Sequence, residues 1–365
     1  MSLAALGPSL KALPDAVPPR WQVAMRTAVR DAAELCRRLN LPPEYEAAAE
    51  RAGRRFPVFA PLSYIARMRP GDPHDPLLRQ VLPMAEEEAD VPGFVADPLS
   101  EATAERAPGL LHKYRGRALL VTTGACAIHC RYCFRRNYPY DELPRGMDEW
   151  APALETIAAD SSIEEIILSG GDPLTLSDAR LSILADRLAA IGHLRRLRIH
   201  TRLPVVIPER VCDELLAWLA GGVVGRVDNS SYVGQGARPS YTQRRPWTSI
   251  VVVHANHPAE LDDAVAAALA RLAGAGVLLL NQAVLLRGVN DDAGVLARLS
   301  QRLIECRVAP YYLHQLDRVA GAAHFEVPES RGRQLIEELR RRLPSYAVPR
   351  YVRETPGQPH KELLA

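Results

Sequence analysis

The sequence predicts an α/β protein, a parallel β-sheet curled toward a barrel and preceded by a helical extension. Two observations carry this. From Ala118 onward, six short apolar runs alternate with amphipathic helical stretches, and a strand-then-helix series of this kind folds as a parallel sheet with helices outside it. The runs are short, apolar and bounded by helices, as suits strands covered on both faces. Ahead of them, residues 1 to about 112 are helical in pattern and punctuated by proline, with no strand alternation.

Taken in order, 21–39 carries apolar residues at helical spacing and is stopped by Pro42 and Pro43. Residues 70–73 form a turn, and Asp75-Pro76 provides an N-cap and a first helical position for a short helix. Strands are expected at 118–123, 165–169, 197–201, 249–254, 277–282 and 309–314. Helices are expected at 178–191, 208–219, 260–273, 292–306 and 331–341. In such barrels the reacting groups sit at the C-terminal ends of strands. A cysteine-rich loop, Gly170-Gly171-Asp172, His200, His254, Asn281-Gln282 and His314 all fall there. Residues 221–247 are long for a helix-to-strand link and read as a surface insertion, with a lid or partner-binding loop as the alternative.

Bulk composition excludes several classes. The 45 basic and 43 acidic residues leave a net charge of +2, which gives no nucleic-acid footprint and no polybasic membrane anchor. No apolar run is long enough to span a bilayer. The N-terminus lacks a basic stretch followed by an apolar one, so a cytoplasmic location is expected. Cys36, Cys212 and Cys306 are scattered in apolar contexts and read as core residues.

The remaining cysteines, Cys126, Cys130 and Cys133, form a C-x₃-C-x₂-C loop. Three thiolates can hold three irons of a 4Fe-4S cluster, leaving the fourth iron open for a ligand that does chemistry. A zinc site with a remote fourth ligand, or three unrelated core cysteines, are the alternatives. Zinc sites usually pair C-x₂-C knuckles, and no second pair exists here. Ser169-Gly170-Gly171-Asp172 follows a strand, where two glycines would let backbone approach a ligand and expose its amides. Lys361 ends the run Glu354-Thr-Pro-Gly-Gln-Pro-His-Lys361, and on its own it would be a solvated surface lysine.

The cysteine spacing and its setting resemble the cluster motif of radical S-adenosylmethionine (SAM) enzymes, in which the open iron chelates SAM. With Lys361, Glu354 and Asp317 added, the chain resembles the lysine 2,3-aminomutase family over about residues 55–361, and within it the short forms tied to elongation factor P. The carrying segments are Pro108-Gly-Leu-Leu-His-Lys-Tyr-Arg-Gly-Arg, Cys126 to Tyr140, Leu168-Ser-Gly-Gly-Asp, Arg198-Ile-His-Thr-Arg-Leu-Pro, Val253-His-Ala-Asn-His-Pro, Leu280-Asn-Gln-Ala-Val and Pro310-Tyr-Tyr-Leu-His-Gln-Leu-Asp.

The resemblance implies a partial (β/α)6 radical SAM barrel with an N-terminal helical extension. Its regions would be 1–112 (helical), 113–325 (barrel core with the insertion at about 221–247) and 326–365 (C-terminal helix and cofactor lysine). It implies pyridoxal 5′-phosphate (PLP) held by Lys361, with Arg117 on its phosphate and Tyr114 beside it. Cys126, Cys130 and Cys133 would hold the cluster. Ser169, Gly170, Gly171 and Asp172 would form the segment that meets the SAM ammonium. Arg135 would grip the α-carboxylate of L-lysine, and Asp317 and Glu354 its side-chain ammonium, Glu354 standing where catabolic lysine mutases have aspartate. The implied reaction is isomerisation of L-lysine to (R)-β-lysine, driven by one electron from a donor such as flavodoxin or ferredoxin. Its functional link would be to elongation factor P and the ligase that attaches β-lysine. Catabolic lysine mutases also carry a C-terminal cysteine cluster for zinc, and no such cysteines follow Lys361. A 2,3-aminomutase for glutamate is disfavoured, because two acids would repel a second carboxylate. A non-catalytic iron–sulfur or zinc protein would have no need of Lys361 with Arg117.

Overall fold

The computed structural model describes residues 19–144, 148–220 and 247–365; the expected insertion, at 221–246, lies outside them. Ten strands form one sheet in chain order. β1 (Glu105–Ala107) and β2 (Leu110–Tyr114) are an antiparallel hairpin, and β2 pairs antiparallel with β3 (Arg117–Thr123). From β3 the pairing is parallel through β4 (Glu165–Gly170), β5 (Arg196–Thr201), β6 (Thr248–Val253), β7 (Leu278–Val284), β8 (Ala309–His314) and β9 (Arg350–Arg353). β10 (Glu362–Leu363) returns antiparallel to β9.

The barrel is therefore partial, with β1 and β10 as its edges. It is nonetheless strongly curled, because Lys113 on β2 reaches Glu354 just beyond β9, Nζ to Oε1, at 2.9 Å. Its wall is apolar on both sides. Leu120, Ile166, Leu168, Ile199, Val251, Val253 and Leu313 are buried, and the covering helices bury Leu181, Leu269, Leu296 and Leu335. These come from α1 (Asp178–Ala189), α2 (Asp263–Gly274), α3 (Ala293–Glu305) and α4 (Glu329–Arg342). Each such side chain contributes about 1.5–3 kcal/mol relative to exposure. Ser177, Asp262 and Asp292 cap the first three helices through their side chains.

The structure differs from the sequence reading in four places. Residues 105–114, read as helical, are the β1–β2 hairpin; strands this short leave too few residues for alternation to register. The stretch 21–39 is two helices, Arg20–Arg26 and Ala32–Arg38, because a β-bridge between Val29 and Ala60 pulls the chain out of helix and Asp31 starts it again. Asp75 does cap, accepting from the Leu77 and Leu78 amides, but only the 3₁₀ turn Leu78–Gln80 follows. The C-terminal tail adds the parallel strand β9. There Gly332 of α4 makes room for the Tyr351 ring, since a Cβ on it would fall 2.2 Å from the Tyr351 hydroxyl oxygen.

Among the described residues no helix is long and apolar enough to cross a membrane. Cys36 and Cys306 are buried core residues, and Cys212 is half-buried beside Asp178 and Arg210.

Candidate active site

The C-terminal ends of the parallel strands converge on one mouth. The cysteine loop leaves β3, and Ser169 and Gly170 end β4. Arg202 follows β5, His254 follows β6, and His314 ends β8. Glu354 follows β9, and the β9–β10 pairing, Glu362 opposite Arg353, sets Lys361 across from Glu354.

Cys126, Cys130 and Cys133 are free thiols of intermediate exposure on that loop. Burial pushes the Cys133 thiol up to about 11, with Cys130 adding, and burial with Cys133 raises Cys126 as well. No group of three His, Cys, Asp or Glu residues among the described residues is gathered as a single-ion site. Arg202 donates from Nη1 to Cys130 Sγ at 2.8 Å and is itself held by Glu260, Gln80 and Tyr64. A cation thus sits against the thiolate end of the loop.

The Ser169–Asp172 segment does not expose its amides as expected. The Gly171 and Asp172 amides donate to the Thr123 and Ala125 carbonyls, both at 2.7 Å. A Cβ on Gly171 would lie 2.3 Å from Ala125 O, and one on Gly170, at φ +123°, 2.5 Å from Thr123 O. The two glycines serve close approach to the cysteine loop. Asp172 is likewise engaged internally, accepting from Thr201 Oγ1, the Arg202, Leu203 and Leu174 amides. Burial pushes its carboxyl up to about 6 against those four donors. An ammonium at this segment would meet backbone oxygens rather than the Asp172 carboxylate.

Across the mouth runs one chain of polar contacts. Ser169 Oγ accepts from Arg135 Nη1 at 2.9 Å. The Nε and Nη2 edge of Arg135 grips Glu101 at 2.6 and 2.9 Å. Lys113 bridges Glu101, at 3.1 Å, to Glu354, at 2.9 Å, and Glu354 also accepts from Lys361. Although burial opposes it, Lys361 and Lys113 hold the Glu354 carboxyl well below the usual range, and Arg135 and Lys113 do the same for Glu101. Asp317 stands beside this chain without an ion pair among the described residues. Burial and then Glu354 push its carboxyl up to about 7, against Lys361 and Lys113. Arg117 lies over the Tyr114 ring, 4.6 Å from its centroid, and has no carboxylate partner among the described residues. Burial, and then the neighbouring Glu354 carboxylate, push the Tyr114 hydroxyl well above its usual range.

The structure brings Arg135, Lys361, Glu354 and Asp317 together beside Ser169, while Asp172 is turned inward, Arg135 already holds a carboxylate, and Tyr114 and Arg117 flank the β2–β3 turn, at the opposite end of β3 from the cysteine loop. Sequence reasoning missed Glu101, Arg202 and Glu260. Glu101 lies in a segment read as plain helix, and Arg202 was quoted only as part of a longer match. Of the strand-end residues, Asn281 is tied to the Ala255 backbone, whereas His200 and His314 keep buried Nε2 atoms without partners.

Against known proteins, the Radical SAM superfamily profile matches residues 120–299. An L-lysine 2,3-aminomutase of Haemophilus influenzae is 42% identical over 94% of this chain and 95% of its own length. That of Escherichia coli is 44% identical over 94% of both chains. The chain belongs to the lysine 2,3-aminomutase family. A further family member, from Clostridium subterminale, is 34% identical and is covered over 75% of its length. Membership in the radical SAM superfamily brings with it a 4Fe-4S cluster and SAM, and the three-thiol loop fits both.

Proposed function

We propose that this protein converts L-lysine to (R)-β-lysine, with Cys126, Cys130 and Cys133 holding the cluster and Lys361 holding PLP. The observation that carries this reading is the pairing pattern at the mouth. Glu354 is neutralised by two lysines, while Asp317 is a carboxylate facing the same space with no ion partner among the described residues. A side-chain ammonium completes it; a second carboxylate would be repelled.

The unpartnered polar groups support PLP as well. Arg117, over the Tyr114 ring, has no carboxylate partner among the described residues, which leaves its guanidinium for a phosphate. His200 Nε2 and His314 Nε2 are buried without partners nearby in the barrel, both within electrostatic reach of Lys361. When bound, the two cofactors supply a carbon-centred radical and an electron-accepting ring, and the protein supplies positions and charges.

Glu101 holds the Nε–Nη2 edge of Arg135 and Ser169 takes one Nη1 hydrogen, leaving one hydrogen on each Nη atom for the substrate α-carboxylate, on a guanidinium held by a buried ion pair. Asp317 fixes the far end of the substrate. Holding both ends places the carbon backbone of lysine between the cysteine loop and Lys361. Glu354 keeps the Lys361 ammonium in place until the cofactor takes it. The wall histidines are neutral, burial lowering both, so they add no charge to repel a cationic substrate.

We further propose that the product is attached to elongation factor P, a step that rests on the family resemblance of the sequence alone. Anaerobic incubation of the reconstituted protein with L-lysine, SAM, PLP and a reductant should yield β-lysine; unchanged lysine with intact cluster would reject the substrate. Elongation factor P from cells lacking this chain should lose the β-lysyl mass, and an unaltered mass would reject the destination.

A further inference from the structure

The N-terminal extension forms the outer layer over the cysteine loop. The His129 amide donates to Phe59 O at 2.9 Å, the Arg131 amide to Gln80 O at 2.9 Å, and the Arg131 guanidinium to Phe56 O at 2.6 Å. His129 Nδ1 is 2.8 Å from Pro57 O. Residues 56–59 are thus laid directly on the loop between Cys126 and Cys133.

The contact is aromatic and leads outward. His129, the residue immediately before Cys130, stacks on Phe56 with centroids 4.9 Å apart at 18°, and lies 5.6 Å from Phe59. Arg131 and Arg136 cover Phe56 at 4.8 and 4.7 Å, and Arg30 covers Phe59 at 4.7 Å. Arg30 is exposed, as are Arg54 and Arg55, which immediately precede Phe56. None of these three exposed arginines has a carboxylate partner among the described residues. Of the acids near them in sequence, Asp31 and Glu46 lie with Arg37 and Glu34 with Arg38, while exposed Glu50, four residues before Arg54, forms no ion pair with any of the three among the described residues. Exposed Glu86 and Glu88, on the turn that packs against helix Pro43–Gly53, bound the surface on that side.

We propose that Arg30, Arg54 and Arg55 form the docking surface for an acidic one-electron carrier protein, with Phe56, Phe59 and His129 as the short layer the electron crosses to reach the cluster. The carrier gives up one electron and the cluster gains it, with no proton or bond change. The whole chain has a net charge of only +2, so attraction of an acidic partner depends on local surfaces such as this one. The inference rests on the radical SAM assignment and is independent of the amino acid converted.

The test is anaerobic stopped-flow reduction of the cluster in the full reconstituted chain, with SAM present, by reduced flavodoxin and separately by dithionite. The triple variant Arg30→Glu, Arg54→Glu, Arg55→Glu should slow reduction by flavodoxin at low salt at least about tenfold, the lower end of electrostatic steering. Dithionite reduction should be unchanged, raised salt should bring wild type toward the variant, and the corresponding Arg→Lys triple should retain the wild-type rate. Cluster-free protein should bind labelled flavodoxin more weakly in the Glu triple, a readout independent of cluster loading. Equal flavodoxin rates and binding in wild type and variant would overturn the proposal. So would equal slowing with both donors, which would assign the arginines to the cluster site itself.

Discussion

Replacing Asp317 by Asn keeps the shape of the side chain and removes its charge. Asp317 is the carboxylate at the mouth without an ion pair among the described residues, since Glu354 already holds Lys113 and Lys361. A charge-assisted hydrogen bond contributes about 1.5–3 kcal/mol, so the variant should lose roughly 10- to 150-fold in kcat/KM for L-lysine. It should lose little for norleucine, which lacks the ammonium. The pH profile carries the same information. Because the Asp317 carboxyl is pushed up to about 7, the wild-type free enzyme should gain kcat/KM for lysine as pH rises through about 7, and the variant should lack that limb. Stability should move the other way. The folded state holds this proton more tightly than the unfolded chain does, so between the ordinary aspartate range and about pH 7 the group costs stability as pH rises. Asp317→Asn should therefore melt higher than wild type at pH 8, with the gap narrowing as pH falls and closing only near the ordinary aspartate range, about pH 4. The assays are lysine and norleucine turnover across pH, with thermal unfolding alongside. Full discrimination retained by the variant would refute the reasoning.

Glu101→Gln breaks a buried pair and frees Arg135 to rotate; it should raise KM for lysine more than it lowers kcat, and cost about 3–5 kcal/mol of stability by denaturant titration. An unchanged KM would show that Arg135 needs no orienting partner. Gly171→Ala drives a Cβ into the Ala125 carbonyl and should displace the cysteine loop, lowering iron retained after reconstitution while the sheet stays folded by circular dichroism. Lys361→Ala should abolish the borohydride-reducible PLP adduct; recovery of PLP on another lysine after peptide mapping would reject its assignment.

The barrel was legible because its strands are buried on both faces and its helices carry clear caps, so composition and spacing mark both. The β1–β2 hairpin and β9 were not, because strands of three to five residues have no period to read and depend on a neighbour for definition. The site was legible where chemistry demands a spacing, as in Cys126, Cys130 and Cys133, and where a family pattern marks single residues such as Lys361. It was illegible where a role comes from contact across the fold. Glu101 acquires its meaning only from Arg135 and Lys113, and Asp172 turns inward because four donors from β5 and its own loop surround it. The glycine pair was rightly singled out for close approach, but what approaches is the cysteine loop.

The central claim is that cluster, SAM and lysine meet at one mouth, with the lysine β-carbon facing the adenosyl group. Its most direct test uses L-lysine deuterated at the β-carbon, with SAM and 5′-deoxyadenosine recovered anaerobically after turnover. Deuterium at the adenosyl 5′ carbon, together with formation of β-lysine, is the expected result. β-Lysine formed without any label in the adenosyl group would contradict the account.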